Sequence, residues 1–300
     1  MTAAAARPAA WRRLLRHRLA WASLAFLSVM LVLALAAPLI AELRGVDPTQ
    51  TDLFRRFEGP SAQHWLGTDD LGRDLFQRLL DGGRVSLLVG ISGALLSAIL
   101  GAIIGVVAGY LGGRLDAFLM RLTDGVISLP LLPLLIVLAA VDPRKLGIPA
   151  EIAQSEMFSL YRIVVIVALT GWTTVARLVR AETLSLKARD FTRAAVALGA
   201  RPQRIMFRHI LPNTAGTLVV ATTMSVGTLI LFESTLSFLG LGIQPPAASW
   251  GNMLTGAQEL LQEAPVLALW PGLLIFLTVI AFNFLGDGLQ DALDPRSERR

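Results

Sequence analysis

The chain's 300 residues hold 27 Lys and Arg against 22 Asp and Glu, a formal net charge of +5, yet only 16% of residues are charged and 54% are hydrophobic, with a mean hydropathy of +0.61. This is far below the roughly 25% charged residues of a soluble domain and points to an integral membrane protein. The absence of Cys excludes a disulfide framework and thiolate chemistry. Three scattered His (His17, His64, His209) argue against a His-based metal site, and the basic excess reads as loop charge that orients a membrane protein rather than as a nucleic-acid footprint.

In chain order, residues 1–18 form a basic tail, followed by an uncharged run, Leu19–Ile40, long enough to cross a bilayer and taken as an anchor (first span, 19–41). Residues 42–84, rich in Asp, Gly and Pro, form an extramembrane insert too small to bury much core alone. Its Asp69, Asp70 and Asp74 do not make a calcium loop, because Leu71 and Arg73 stand where the third and fifth oxygen ligands would be needed. A turn feeding an amphipathic surface helix, Leu71–Leu80, is the expectation there.

Residues 85–288 supply a core of five further spans. In Val85–Gly113, Gly101, Gly105 and Gly109 recur every fourth residue, a spacing that lets a neighbouring helix approach closely. Leu115–Val141 carries Pro130 and Pro133, predicting a kink. Asp124, three residues after Arg121, reads as a structural i,i+3 ion pair or as a pathway residue. Tyr161–Arg180 places Gly171, Trp172, Thr173 and Thr174 at mid-span, suited to core packing or to a wet cavity. Thr214–Leu239 carries Glu233 near its outer end, either lining a pathway or satisfying helix ends. Val266–Leu285 begins close to Pro271, and residues 289–300 form a second tail. The expected fold is all-α, a polytopic membrane protein with six transmembrane helices.

Most of the basic residues fall in the tails, at Arg114 and Arg121, and between Arg177 and Arg208. With the positive side inside, both termini are cytoplasmic, and so is the loop 181–213. Within that loop Asp190–Asn213 is a polar island. Phe191, Ala194, Ala195 and Leu198 make one apolar helical stripe, Gly199 is a left-handed stop, Pro202 suits a first helical turn, Arg201, Arg204 and Arg208 line one side, and Pro212 ends the second helix. From spacing alone, a basic helix on anionic membrane lipid and a docking surface fit equally well.

Resemblance separates the two. Ala194-Ala195, then Gly199, then Leu211-Pro212 resembles the EAA loop of ABC importer permeases, with Arg193 in place of the usual Glu and His209 in place of the usual Ile. The run His64-Trp65-Leu66-Gly67-Thr68-Asp69-Asp70-Leu71-Gly72-Arg73-Asp74 is similar to the N-terminal signature of the C-type permease of dipeptide, oligopeptide and nickel importers. So are Glu233–Gly242 with Gln244-Pro245-Pro246 and Ser249-Trp250-Gly251, and Ala281–Leu289 followed by Asp294-Pro295-Arg296.

The resemblance implies a type I ABC importer permease fold in the plasma (inner) membrane. It implies a second homologous permease, two cytosolic ATPases that bind ATP and Mg, and an extracytoplasmic substrate-binding protein. The coupling loop would be carried by Arg193, Ala194, Ala195, Gly199, Ile205, His209, Leu211 and Pro212, with dipeptides or oligopeptides as first-choice solutes and nickel or another small solute as the alternative. The residues fit this division of labour. Only Lys145 and Lys187 are present and neither follows Gly, so no Walker A loop exists in the chain. No catalytic residue, metal site or bound cofactor is expected here. An ATP-independent secondary transporter would instead call for inverted repeats and midplane charges.

Overall fold

The computed structural model describes residues 17–153, 155–255 and 264–293. The tail arginines Arg7, Arg12, Arg13, Arg16, Arg296, Arg299 and Arg300, and the Asp294-Pro295-Arg296 segment, lie outside these residues. The described chain is helical. Its long helices are α1 (Arg18–Arg44), α2 (Leu75–Leu111), α3 (Gly113–Ser128), α4 (Leu131–Ala140), α5 (Glu156–Lys187), α6 (Asp190–Ala197), α7 (Ala215–Phe238) and α8 (Val266–Leu293). Among the described residues, five helical stretches are long and apolar enough to cross a membrane, six if the bent pair α3–α4 is one span.

The third span corrects the expected kink. α3 and α4 meet at 89°, so the span is broken rather than bent. Pro130 forces the residue before it out of helical geometry, and Leu129 is extended at φ −77°, ψ 138°. Pro130 then caps α4, and Pro133 falls in the first turn of α4, where its missing N–H is no loss.

The expected surface helix is also absorbed into a longer one. No separate surface helix covers Leu71–Leu80. Asp74 caps α2, accepting from the Gln77 amide at 2.7 Å, and Leu75 and Leu79 are buried in the core. The 37 residues of α2 span about 55 Å, well beyond the ~30 Å hydrocarbon layer, so its first turns belong to the extramembrane region. α1 ends at Arg44 with Gly45 in the left-handed region (φ 63°). The segment between α1 and α2 is residues 45–74.

The tightest helix pair is α2 with α5. A Cβ on Gly101 would lie 2.6 Å from Val175 Cβ and 2.7 Å from the Trp172 carbonyl oxygen. On Gly105 it would meet the Ala176 carbonyl oxygen at 2.6 Å, and on Gly109 the Thr183 Cβ at 2.8 Å. Small residues thus bring two backbones together where lipid gives no hydrophobic drive for association. α7 closes on α2 at Gly90, which faces Ile230, and α8 packs on α7 and α1. The outward faces of α1, among them Leu31, Val32, Leu35 and Leu39, stay exposed, as a lipid-facing helix requires.

Two ion pairs tie α3 to α5. Asp124 does not pair with Arg121 on its own helix. It holds Arg177 of α5 at 2.5 Å, because α3 lies alongside α5 and the cross-helix partner is in reach. Asp116, which the sequence reading passed over, binds Arg180 through both oxygens at 2.5 and 2.6 Å.

Gly105→Val drives a methine carbon into a backbone carbonyl that cannot move aside. It should destabilise the chain by about 1–3 kcal/mol, seen as a lower thermal unfolding midpoint of the detergent-solubilised protein. An unchanged midpoint would show that the α2–α5 seam is not close-packed.

Candidate functional site

The end of the molecule where α2 and α5 finish carries a helical hairpin. Asp190 opens α6, where the helix dipole favours an acid. Thr192 Oγ1 donates to the Leu186 carbonyl at 2.8 Å, fixing the turn out of α5. Gly199 adopts φ +76° with open space around it, and the Gly199 and Ala200 amides return to Val196 and Ala195 carbonyls at 2.9 and 3.0 Å. This is the left-handed stop that only Gly takes without cost.

Pro212 does not end the second helix of the hairpin. The chain runs from Pro202 through a π-helical turn (Ile205–Ile210) and a 3-10 turn (Leu211–Thr214) directly into α7. Pro212 lies in the first residues of the 3-10 turn, where no amide is missed.

The hairpin is anchored by one face and open on the other. Ala195, Ile205 and Ile210 are buried together against Tyr110 of α2 and Leu186 of α5. Lys187 Nζ donates to the Tyr110 carbonyl at 2.6 Å and sits 5.4 Å from the Tyr110 ring centre. The apolar stripe read from the sequence is split by this anchoring. Ala195 points inward, while Phe191 (42% exposed) and Leu198 (88%) face outward, joined there by Val196 (55%) from outside the stripe. Arg193, Ala194, Gly199, Arg201, Arg204, Arg208 and Pro212 are exposed, and His209 and Leu211 are half-buried.

A cleft of about 500 Å³ opens between the α3–α4 break, α5, α7 and Asn283 of α8. Apolar walls from Ile127, Leu131 and Phe232 alternate with Thr170, Thr173, Thr174, Ser225 and Thr228. The Thr170 and Ser225 hydroxyls donate to carbonyls of their own helices, at 3.0 and 2.7 Å. The mid-span group divides between the two roles foreseen for it. Trp172 is buried with its indole N–H on the Leu169 carbonyl at 2.9 Å, while Gly171, Thr173 and Thr174 line the cleft.

Glu233 does not line this cleft. It is fully buried and accepts from Ser86 of α2 at 3.0 Å and Ser237 at 2.7 Å. Ser86 also accepts from the Trp250 amide at 3.2 Å, and the Trp250 indole donates to the Leu79 carbonyl at 2.9 Å. Glu233 thus pins the 240–255 loop to the starts of α2 and the end of α7. Sequence reasoning missed Ser86 and Trp250 as its partners, since they lie far from it along the chain.

At the same end, the insert folds around Asp74, whose carboxylate takes Arg44 at 2.9 and 3.1 Å and His64 at 3.0 Å. Arg44 also stacks 4.6 Å from the Trp65 ring centre. Asp69 accepts from the Leu71 and Arg73 amides and from the Arg73 side chain at 2.9, 2.9 and 2.7 Å. These carboxylates staple the loop to α1 and α2. Among the described residues no three His, Asp or Glu side chains gather as a metal site.

With this geometry in hand, residues 101–299 match the family described as the inner membrane component of binding-protein-dependent transport systems. The chain belongs to this family. Residues 9–60 match the N-terminal transmembrane domain of oligopeptide transport permease C. The oligopeptide transport system permease protein OppC of Bacillus subtilis (strain 168) is 37% identical over 280 residues, covering 93% of this chain and 86% of that protein. The glutathione transport system permease protein GsiD of Shigella flexneri serotype 5b (strain 8401) is 43% identical over 286 residues, covering 95% and 89%. Among solved structures, the MetNI methionine ABC transporter in an inward-facing form shares the fold, with a TM-score of 0.55 at 20% identity over 73% of this chain and 96% of that one. The chain is a multi-pass permease subunit of an ABC importer.

Burial raises the Asp74 carboxyl, but the Arg44, Gln77 and His64 hydrogen bonds outweigh it and hold it below its usual 3.8. A carboxyl lowered in the folded state adds stability above its unfolded value and loses it as pH falls through the folded one. Asp74→Asn should therefore cost the permease about 3 kcal/mol at pH 7, and the gap to wild type should close as unfolding is followed below about pH 4. A gap that stays constant down to the acid limit would contradict the ionic role.

Proposed function

We propose that this permease imports dipeptides or oligopeptides, with the hairpin end in the cytosol and its exposed face seated in a groove of a cytosolic ATPase. The reading is carried by one observation: Phe191, Val196 and Leu198 stand out from a surface that Ala195, Ile205 and Ile210 bolt to the ends of α2 and α5. An apolar face with a rigid root fits a partner that must be pushed against, better than it fits a helix resting on lipid. The positive-inside distribution of the basic residues supports the same orientation, with both termini in the cytosol.

ATP and Mg belong to the ATPases in this scheme, in keeping with the missing Walker A loop, and this chain contributes no catalytic group. A second, homologous permease completes the pathway by facing the cleft of Thr170, Thr173, Ser225 and Thr228. An extracytoplasmic binding protein delivers solute to the insert end. ATP binding draws the two ATPases together, and each hairpin carries that displacement into its permease as a rigid-body rotation that exchanges inward for outward access. Peptide as solute follows the names borne by the relatives, and the mixed hydroxyl and apolar lining suits a solute that presents both amide groups and varied side chains.

The test is uptake of labelled dipeptides and oligopeptides by proteoliposomes holding both permeases, both ATPases and the binding protein, with and without ATP. Leu198→Glu and Gly199→Val should each lower ATP-driven uptake at least about tenfold, a loss of ~1.4 kcal/mol or more in coupling, while insertion and permease pairing persist. Gly199→Val acts through the left-handed turn and Leu198→Glu through the docking face. Uptake at the wild-type rate in both variants would remove the hairpin from the coupling role.

A further inference from the structure

A second cavity, of about 430 Å³, lies at the insert end between the last turn of α4, the Asp142-Pro143 turn, the start of α5 and the Gly240–Pro245 segment. Arg162 of α5 lines it. Its Nε is enclosed and has no hydrogen-bond partner, and Nη2 reaches only the Leu241 carbonyl, at 3.3 Å. On the same helix Arg177 and Arg180 each hold a carboxylate. Arg162 holds none among the described residues, although Asp142 lines the same cavity. That acid is already taken by Arg144, at 3.1 and 3.0 Å, and by the Arg144 amide at 3.0 Å.

A half-buried guanidinium without a counter-charge is costly in a membrane helix, and the residues that tolerate the cost mark pathways. Its fork of N–H donors matches a carboxylate in geometry. The position also fits a pathway. The start of α4 and Thr170, Gly171, Thr173 and Thr174 of α5 line the 500 Å³ cleft, while the end of α4 and Arg162 line this cavity. The two spaces follow one seam, about 12 Å apart along α5 at 1.5 Å per residue.

We propose that this cavity is a solute subsite in which Arg162 receives the free carboxylate of a peptide on its way to the cleft. Glu156 on the rim carries the opposite sign. The cavity therefore suits a zwitterion, its carboxylate toward Arg162 and its ammonium toward the rim, over a phosphate-like dianion. The proposal rests on the peptide-import reading.

The chain has no Cys, so Gln244→Cys places a single thiol on the cavity wall. In proteoliposomes of the full complex, trialanine as the free acid should slow maleimide labelling of that thiol, and trialanine amide at the same concentration should not. Adding Arg162→Gln should abolish the protection and lower uptake of the acid at least tenfold, and Arg162→Lys should restore part of both. Equal protection by acid and amide, or protection unchanged in Arg162→Gln while peptide uptake continues, would overturn the subsite and leave the import reading standing. Protection that follows the anionic lipid content of the vesicles rather than the peptide would assign Arg162 to lipid phosphate and overturn it too. Absence of any trialanine or oligopeptide uptake by the wild type would remove the import reading and the subsite with it.

Discussion

The backbone-to-backbone approach of α2 and α5 at Gly101, Gly105 and Gly109 sets the positions of everything attached to either helix. In lipid, apolar side chains gain nothing by leaving their surroundings, so association rests on close packing and on polar contacts. Glycine supplies the first along this seam. The second sits around it: Asp116–Arg180 and Asp124–Arg177 hold α3 to α5, and the Glu233–Ser86–Trp250 contacts hold the 240–255 loop to α2 and α7. Because Tyr110, Leu186 and Lys187 lie at one end of the seam and Ser86 and Leu79 toward the other, the hairpin and the 240–255 loop are attached to one packed unit.

Much of this was legible in the sequence because the bilayer imposes it. Uncharged runs of span length have one solution, and the period-four glycines had to face a helix. The signature around Arg193 to Pro212 located the hairpin. Tertiary facts were hidden for stated physical reasons. Proline announces a disturbed helix but not its angle, which depends on whether Leu129 turns fully extended, and the kink became a break of 89°. Asp124 had an i,i+3 partner in Arg121, and local spacing cannot register that Arg177 of another helix lies closer. The turn chemistry after Asp69 suggested a surface helix, whereas Asp74 caps a helix that continues through the membrane. Pro212 reads as a stop by propensity, but a proline in a first turn costs nothing, and the hairpin runs on into α7.

The same contrast separates the two candidate functional surfaces. The hairpin is recognisable from residue identities, since its role depends on a short contiguous segment. The cleft and the Arg162 cavity are assembled from α3, α4, α5, α7 and the 240–245 segment, so no single stretch of sequence announces them. Arg162 in particular is one arginine among many until the structure shows which of the others have carboxylates.

On the proposed reading, the hairpin and the 240–255 loop move as one body when the ATPases act. The natural absence of Cys allows spin labels to be placed singly at Ala197→Cys and Gln244→Cys. Distances measured by pulsed electron resonance in the reconstituted complex, without nucleotide and with ATP trapped by a catalytically dead ATPase, test it directly. The distance between the two labels within one permease should stay constant while the distance between equivalent hairpin and loop positions across the two permeases changes. A within-permease distance that changes with ATP as much as the distance across the pair would contradict it.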